Sequence, residues 1–220
     1  MTDTDRHTTR TVVAALVRRA VSYELGMWRS LYRWILRRPP ALETGAEAFS
    51  YAAAVTPIIW AFIALSAIEL PAVHLILPWE TARRIADALG AYGLFWMVGF
   101  LASLRVHPHI VAHSGLRIRH GTSVDITIPW DAIATIRTRT RSLPNSRTVR
   151  LDRTGSGVIV HIGVSGQTNI DVALRQPVMV PLPRRRSEPV TELRFYVDDP
   201  SALLARAREN LTADLPTSDE

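Results

Sequence analysis

Six arginines fall within seventeen residues: Arg137, Arg139, Arg141, Arg147, Arg150 and Arg153, offset only by Asp152. Arg137-Thr-Arg-Thr-Arg141 alternates, so an extended chain presents three guanidinium groups on one face. Arg184-Arg-Arg186 forms a second cluster. A guanidinium is a planar fork of donors matched to phosphate and carboxylate. The chemistry implied is binding, and the candidate residues are Arg137, Arg139, Arg141, Arg147 and Arg150. Anionic lipid headgroups or an acidic protein partner would suit them. A solvated basic surface that merely reinforces membrane topology fits the same residues.

Other reactive types are less well arranged. His107, His109, His113 and His120 crowd into fourteen residues, and the first two would share a face of a strand. Histidine clusters bind zinc or copper, but no Asp, Glu or Cys lies between residues 105 and 124 to complete a local site. Gly155-Ser-Gly157 and Gly163-Val-Ser-Gly166 lack phosphate-loop spacing and read as hairpin turns. No Gly-x-Ser-x-Gly elbow occurs. Glu69 and Asp87 flank apolar runs, where they suit either a proton relay or exposure at an interface.

Composition removes whole classes of activity. There is no cysteine, so disulfide scaffolds, Cys-ligated metals and thiol nucleophiles are excluded. All 26 basic residues are arginine, which excludes a P-loop, Schiff-base or catalytic lysine. With no acid–base constellation, the chain reads as a non-enzyme that needs no cofactor.

Charge and hydropathy divide the chain. Residues 1–45 carry net +4, residues 46–104 net −2 and residues 105–220 net +4. Apolar residues concentrate between positions 49 and 104. Nucleic-acid binding would explain the basic ends but not the apolar middle, so no nucleic acid is expected. A membrane hairpin explains both. Residues 51–70 carry no charge before Glu69, and residues 85–104 form a second run with Asp87 near its start. Each matches the length of about 20 residues that a helix needs to cross a bilayer core. Pro57 should kink the first helix. Ala86/Gly90 and Gly99/Ser103 have the four-residue spacing that lets helix backbones approach closely; composition bias alone would also produce it. The segment 71–79 either extends the first helix or lies in the interface, with Trp79 at headgroup level.

Arg29, Arg33, Arg37 and Arg38 precede the first run, and Arg105, Arg117 and Arg119 follow the second. The connecting loop has Arg83 and Arg84, offset by Glu80 and Asp87. The positive-inside rule therefore places both termini in the cytoplasm of a plasma-membrane, multi-pass protein. The first ten residues are polar and lack a cleavable-signal pattern.

Upstream, Val13, Val17, Val21, Leu25, Trp28, Tyr32 and Ile35 recur at helical steps. Arg18, Ser22, Gly26, Arg29, Arg33 and Arg37 recur on another face. The pattern predicts an amphipathic helix over about 11–38, closed by Pro39-Pro40. It suits the interface of an anionic membrane, or packing on the soluble domain.

After Arg105 the period becomes two. Strands are predicted near residues 109–114, 116–118, 124–128, 131–136, 148–152, 157–164, 169–174, 178–181 and 191–197. A final helix spans 199–211, capped by Asp199 with Pro200 at its first position. Short strands followed by a terminal helix suit a small closed or nearly closed barrel.

Gly115-Leu-Arg-Ile-Arg-His-Gly121 followed by Ile126-Thr-Ile-Pro-Trp-Asp-Ala-Ile-Ala-Thr-Ile136 resembles the opening of bacterial pleckstrin-homology-like (PH-like) domains. The whole chain resembles integral membrane proteins of actinobacteria. The resemblance implies a seven-stranded barrel with a C-terminal helix and a binding or scaffolding role. The expected organisation is an α+β membrane protein. It has a basic interfacial helix (1–45), a two-span hairpin (46–104), a cytoplasmic PH-like β domain (105–211) and a disordered tail (212–220). Its expected partners are the bilayer, anionic lipid headgroups or a membrane protein, with homo-oligomerisation allowed. A small transporter, or an accessory subunit of one, is the alternative.

Overall fold

The computed structural model describes residues 3–37, 42–144, 148–155, 157–182 and 187–213. Helix α1 spans Asp3–Ile35. Strand β1 (Glu47–Phe49) precedes two long helices, α2 (Thr56–Ile76) and α3 (Glu80–Arg105). Strands β2 (His109–Ala112), β3 (Gly115–His120) and β4 (Val124–Ile128) follow. A 3₁₀ turn, Trp130–Ala132, leads to β5 (Ile133–Ser142), β6 (Val149–Thr154), β7 (Gly157–Ile162), β8 (Gln167–Val180) and β9 (Glu188–Phe195). Helix α4 (Pro200–Ala213) closes the described chain.

Both long helices have the length and apolarity to cross a membrane. Pro57 does not kink α2; it lies in the first turn, where its missing N–H would be unpaired anyway. Pro71 lies inside α2, so the segment after it extends the helix to Ile76. Glycine spacing resolves into two contacts. A Cβ on Gly90 would meet the Leu70 side chain of α2, and one on Gly99 would meet Met27 of α1. Side chains of α1 and α2 thus seat on α3 where it has none of its own.

Helix α1 runs parallel to α3: Glu24 reaches Tyr92, Met27 packs on Gly99, and Arg105 lies over Trp34. It therefore has α3 as a packing partner instead of lying along an interface alone. Its Gly26 also touches Thr122 at the β3–β4 turn.

The strands form two sheets, of order β1-β2-β3-β4 and β5-β8-β9-β7-β6, and these do not close into the expected barrel. Pro129 and the 3₁₀ turn break the ladder between β4 and β5. All pairings are antiparallel except β7 with β9. The two strands expected at 169–174 and 178–181 are one strand, β8. Its register shifts between Ala173 and Val178, so Pro177 falls where ladder pairing is interrupted. Both expected glycine turns are present, between β6 and β7 and between β7 and β8.

One core joins the sheets. Leu116, Ile118, Ile126 and Ile128 from the first meet Val160, Ile170, Leu193 and Phe195 from the second, and Leu203 and Ala207 of α4 cover them. Each fully buried large side chain contributes about 1.5–3 kcal/mol by leaving water. Phe49 of β1 belongs to this core. The stretch assigned to the hairpin from residue 46 therefore begins with a strand of the β domain, and a domain boundary at residue 105 would cut it away. Asp199 caps α4 as expected, accepting the Ala202 N–H at 2.9 Å.

Candidate functional site

The segments that join the helices to the β domain meet in a buried knot. Tyr51 is fully buried, and its hydroxyl accepts the Gly121 N–H at 2.7 Å. Gly121 has φ +51, the left-handed conformation that favours glycine. The Tyr51 ring lies 4.8 Å from the His109 ring and 5.2 Å from that of His120. His109 donates from Nε2 to the Tyr196 carbonyl at 2.9 Å and accepts the Arg119 N–H at Nδ1, 3.1 Å. Those two bonds require the neutral ring. Burial drives both His109 and His120 down to about 4. Burial also raises the Tyr51 hydroxyl, against the opposing pull of Gly121 and Arg119. Asp198 accepts the Ala53 N–H, tying the end of β9 to the approach to α2. A second apolar cluster completes the knot, with Tyr51, Ala52, Leu104 and Val164 buried and Ile59, Phe100 and Tyr196 packed around them.

These contacts define one end of the β domain as the end that abuts the helices. Around it lie Arg33, Arg105, Arg117 and Arg119, with His107. Arg105 is exposed and sits 5.9 Å from the Trp34 ring centre. Arg117 forms a two-pronged pair with Asp125 at 2.6 and 2.7 Å. The Arg119 side chain is only 12% exposed, and Asp125 lies 3.7 Å away, beyond hydrogen-bond reach. Its buried Nε has no hydrogen-bond partner. Burial pushes this guanidinium below its ordinary value; Asp125 opposes that, while Arg117 and Arg33 add to it. Burial also lowers His107, aided by Arg119 and Arg33 and opposed by its bond to the Ser103 carbonyl. The result is an under-neutralised cationic group with a free buried donor, a setting that favours a phosphate or carboxylate.

The four of the five candidate arginines that the structure describes, Arg137, Arg139, Arg141 and Arg150, are not gathered into one patch. β5 and β6 are opposite edges of the five-stranded sheet. Arg137 and Arg139 are exposed along β5, and Arg139 makes no ion pair among the described residues. A register shift between Thr138 and Arg141 interrupts the alternation, and Arg141 turns to Asp171 at 2.8 Å. Arg150 pairs with Asp152 at 2.7 Å, and Arg153 with Glu188. Arg147 and Arg184–Arg186 lie outside the described residues.

β5 nevertheless points its far end toward the helices. The Leu143 N–H donates to the Gly166 carbonyl, and the neighbouring Val164 belongs to the cluster with Tyr51 and Leu104. At about 3.3 Å per residue, Arg141 lies within one step of that end and Arg137 roughly 17 Å back. β6 starts at the same end, where the Gly163 N–H meets the Thr148 carbonyl.

The four histidines diverge. His107 bonds back to the last turn of α3, His109 and His120 enter the knot, and His113 is exposed. Among the described residues, no three potential metal ligands gather. From the sequence, Arg105, Arg117 and Arg119 read as topological charges, and Arg33 as one of these and as part of the basic face of the first helix. The alternation of Arg117 and Arg119 with Leu116 and Ile118 was the available signal, but nothing local brings Arg33 to them. No family model, curated protein or solved structure matches this chain.

Proposed function

We propose that this is a membrane-anchored, non-catalytic binding protein whose α2–α3 hairpin crosses the plasma membrane with both termini in the cytoplasm. Its β domain binds anionic lipid headgroups at the end that abuts the helices. The carrying observation is Arg119: a buried guanidinium short of counter-charge, placed where the helices enter the domain. Apolar faces on α2 and α3 support the anchoring, since Ile58, Phe62, Leu65, Ile68, Leu89 and Phe95 are all exposed. Arg139, without an ion pair among the described residues, adds charge on the strand that leads to this end, whereas Arg141 is paired with Asp171. The resemblance to PH-like domains supports a binding role through the 115–136 motif alone.

Spin-labelled lipids test this reading on the full chain in bilayers. Labelled phosphatidylglycerol should be motionally restricted in preference to labelled phosphatidylcholine, and the preference should shrink at high salt. Arg119→Gln should reduce it. Equal restriction of the two lipids would overturn the reading. A second reading, a small transporter or an accessory transport subunit, rests on the acidic groups between α2 and α3.

A further inference from the structure

A cavity of about 550 Å³ lies between α2 and α3. That volume falls within the range of small-molecule sites, roughly 300–1,000 Å³. Leu70, Val73, Leu94, Trp96 and Met97 supply much of its lining, and Glu69 supplies a carboxylate. Glu69 has no hydrogen bond or ion pair among the described residues. No arginine or histidine lines the cavity.

Further acid backs its walls. Tyr92 lines the cavity, and its hydroxyl is held by Glu24 of α1. Val73 and Ala86 line it too, and their chain neighbours His74 and Asp87 pair at 2.7 Å. Asp87 keeps a second, buried carboxylate oxygen without a partner. Glu69 therefore lines an apolar space with Glu24 and Asp87 behind its walls, and His74 is the one basic group paired among them.

We infer that this cavity binds a lipophilic organic cation, with Glu69 as counter-ion and Trp96 as an aromatic wall. An apolar body would fill the space beside Val73 and Met97. A diffuse positive charge is weakly hydrated, so it can leave water for a carboxylate and an aromatic face. A neutral ligand would leave Glu69 uncompensated, and an anion would be repelled by Glu69 and by the acids behind the walls. The inference rests on the hairpin lying in a bilayer, from which such a cation would enter, but not on lipid-headgroup binding at Arg119.

The full chain in mild detergent, with radiolabelled tetraphenylphosphonium as probe, provides the test. Binding should saturate, and neutral triphenylphosphine oxide should compete poorly. Glu69→Gln should weaken binding about tenfold or more. Trp96→Leu should weaken it several-fold. Gly93 lines the cavity and has open space where a side chain would start. Gly93→Phe should therefore block binding while leaving the circular dichroism spectrum and thermal midpoint unchanged. Absence of saturable binding would overturn the inference, as would equal competition by the neutral compound or wild-type affinity in Glu69→Gln. So would light scattering showing a dimer that Gly93→Phe dissociates and that excludes the probe, because a second copy would then fill the space. Loss of lipid preference in Arg119→Gln leaves this result untouched, so the two sites fail separately.

Discussion

The hairpin and the β domain are built from the same side chains and treat them in opposite ways. In the β domain, Ile118, Ile126, Ile170 and Leu193 are buried by one another. In α2, Ile63 is the one buried residue, while Ile68 and Leu75 are 68% and 83% exposed. Isoleucine gains the same transfer free energy in either place, so the hairpin needs a cover that the described residues do not supply. The β domain is self-sufficient in apolar cover, and the hairpin is not. Between them, Tyr51, His109 and Gly121 form a buried polar joint that makes the two regions one object.

The comparison predicts its largest effect in the core. Phe195→Ala should cost about 3–5 kcal/mol, because it opens a cavity in a region with no exposed surface. Ile68→Ala in the same detergent-solubilised chain should stay within about 0.5 kcal/mol. Thermal unfolding followed by near-ultraviolet circular dichroism reads both. Equal losses would remove the distinction between the regions.

Next is the joint. His109 and His120 titrate near 4 when folded against an ordinary 6.5. Their neutral forms are favoured by the folded state, so stability is fully present above about pH 6.5. It falls as pH drops toward 4, because the unfolded chain takes up protons that the folded chain refuses. Each histidine should account for up to about 3 kcal/mol across that window. Urea titrations at a series of pH values would show it, and His109→Gln should flatten the slope.

How much of this was legible in the sequence depended on the range of the interaction. Both long helices were visible because an apolar run of their length outlasts any strand. The strands of the β domain were visible from their period of two. β1 was not: Glu47-Ala-Phe49 is too short to show a period, and its partners, residues 109–111, lie some sixty positions away. The parallel pairing of β7 with β9 is invisible for the same reason. Arg137, Arg139 and Arg141 drew attention because alternation is local. Arg119 did not, because its peculiarity is burial beside Arg33, which only the packed helices create.

Smaller effects sharpen the joint. Gly121→Ala places a side chain at φ +51 and should cost about 1–2 kcal/mol in thermal unfolding. Gly45→Ala, at φ +78 but with nothing near its Cβ, isolates backbone strain from packing and serves as its control. The smallest effect concerns lipid. Arg139→Gln should lower the preference for anionic lipid by about 1 kcal/mol or less at low salt. Arg119→Gln should lower it more, because the buried guanidinium is less screened.

The most direct measurement uses the absence of cysteine from the chain. Thr81→Cys and Ser142→Cys place single thiols at exposed positions, one beside the α2–α3 turn and one at the end of β5. In intact cells, a membrane-impermeant maleimide should label Thr81→Cys and leave Ser142→Cys unmodified until the cells are lysed. Labelling of both in intact cells, or of neither, would contradict a hairpin that crosses the bilayer and holds the β domain in the cytoplasm.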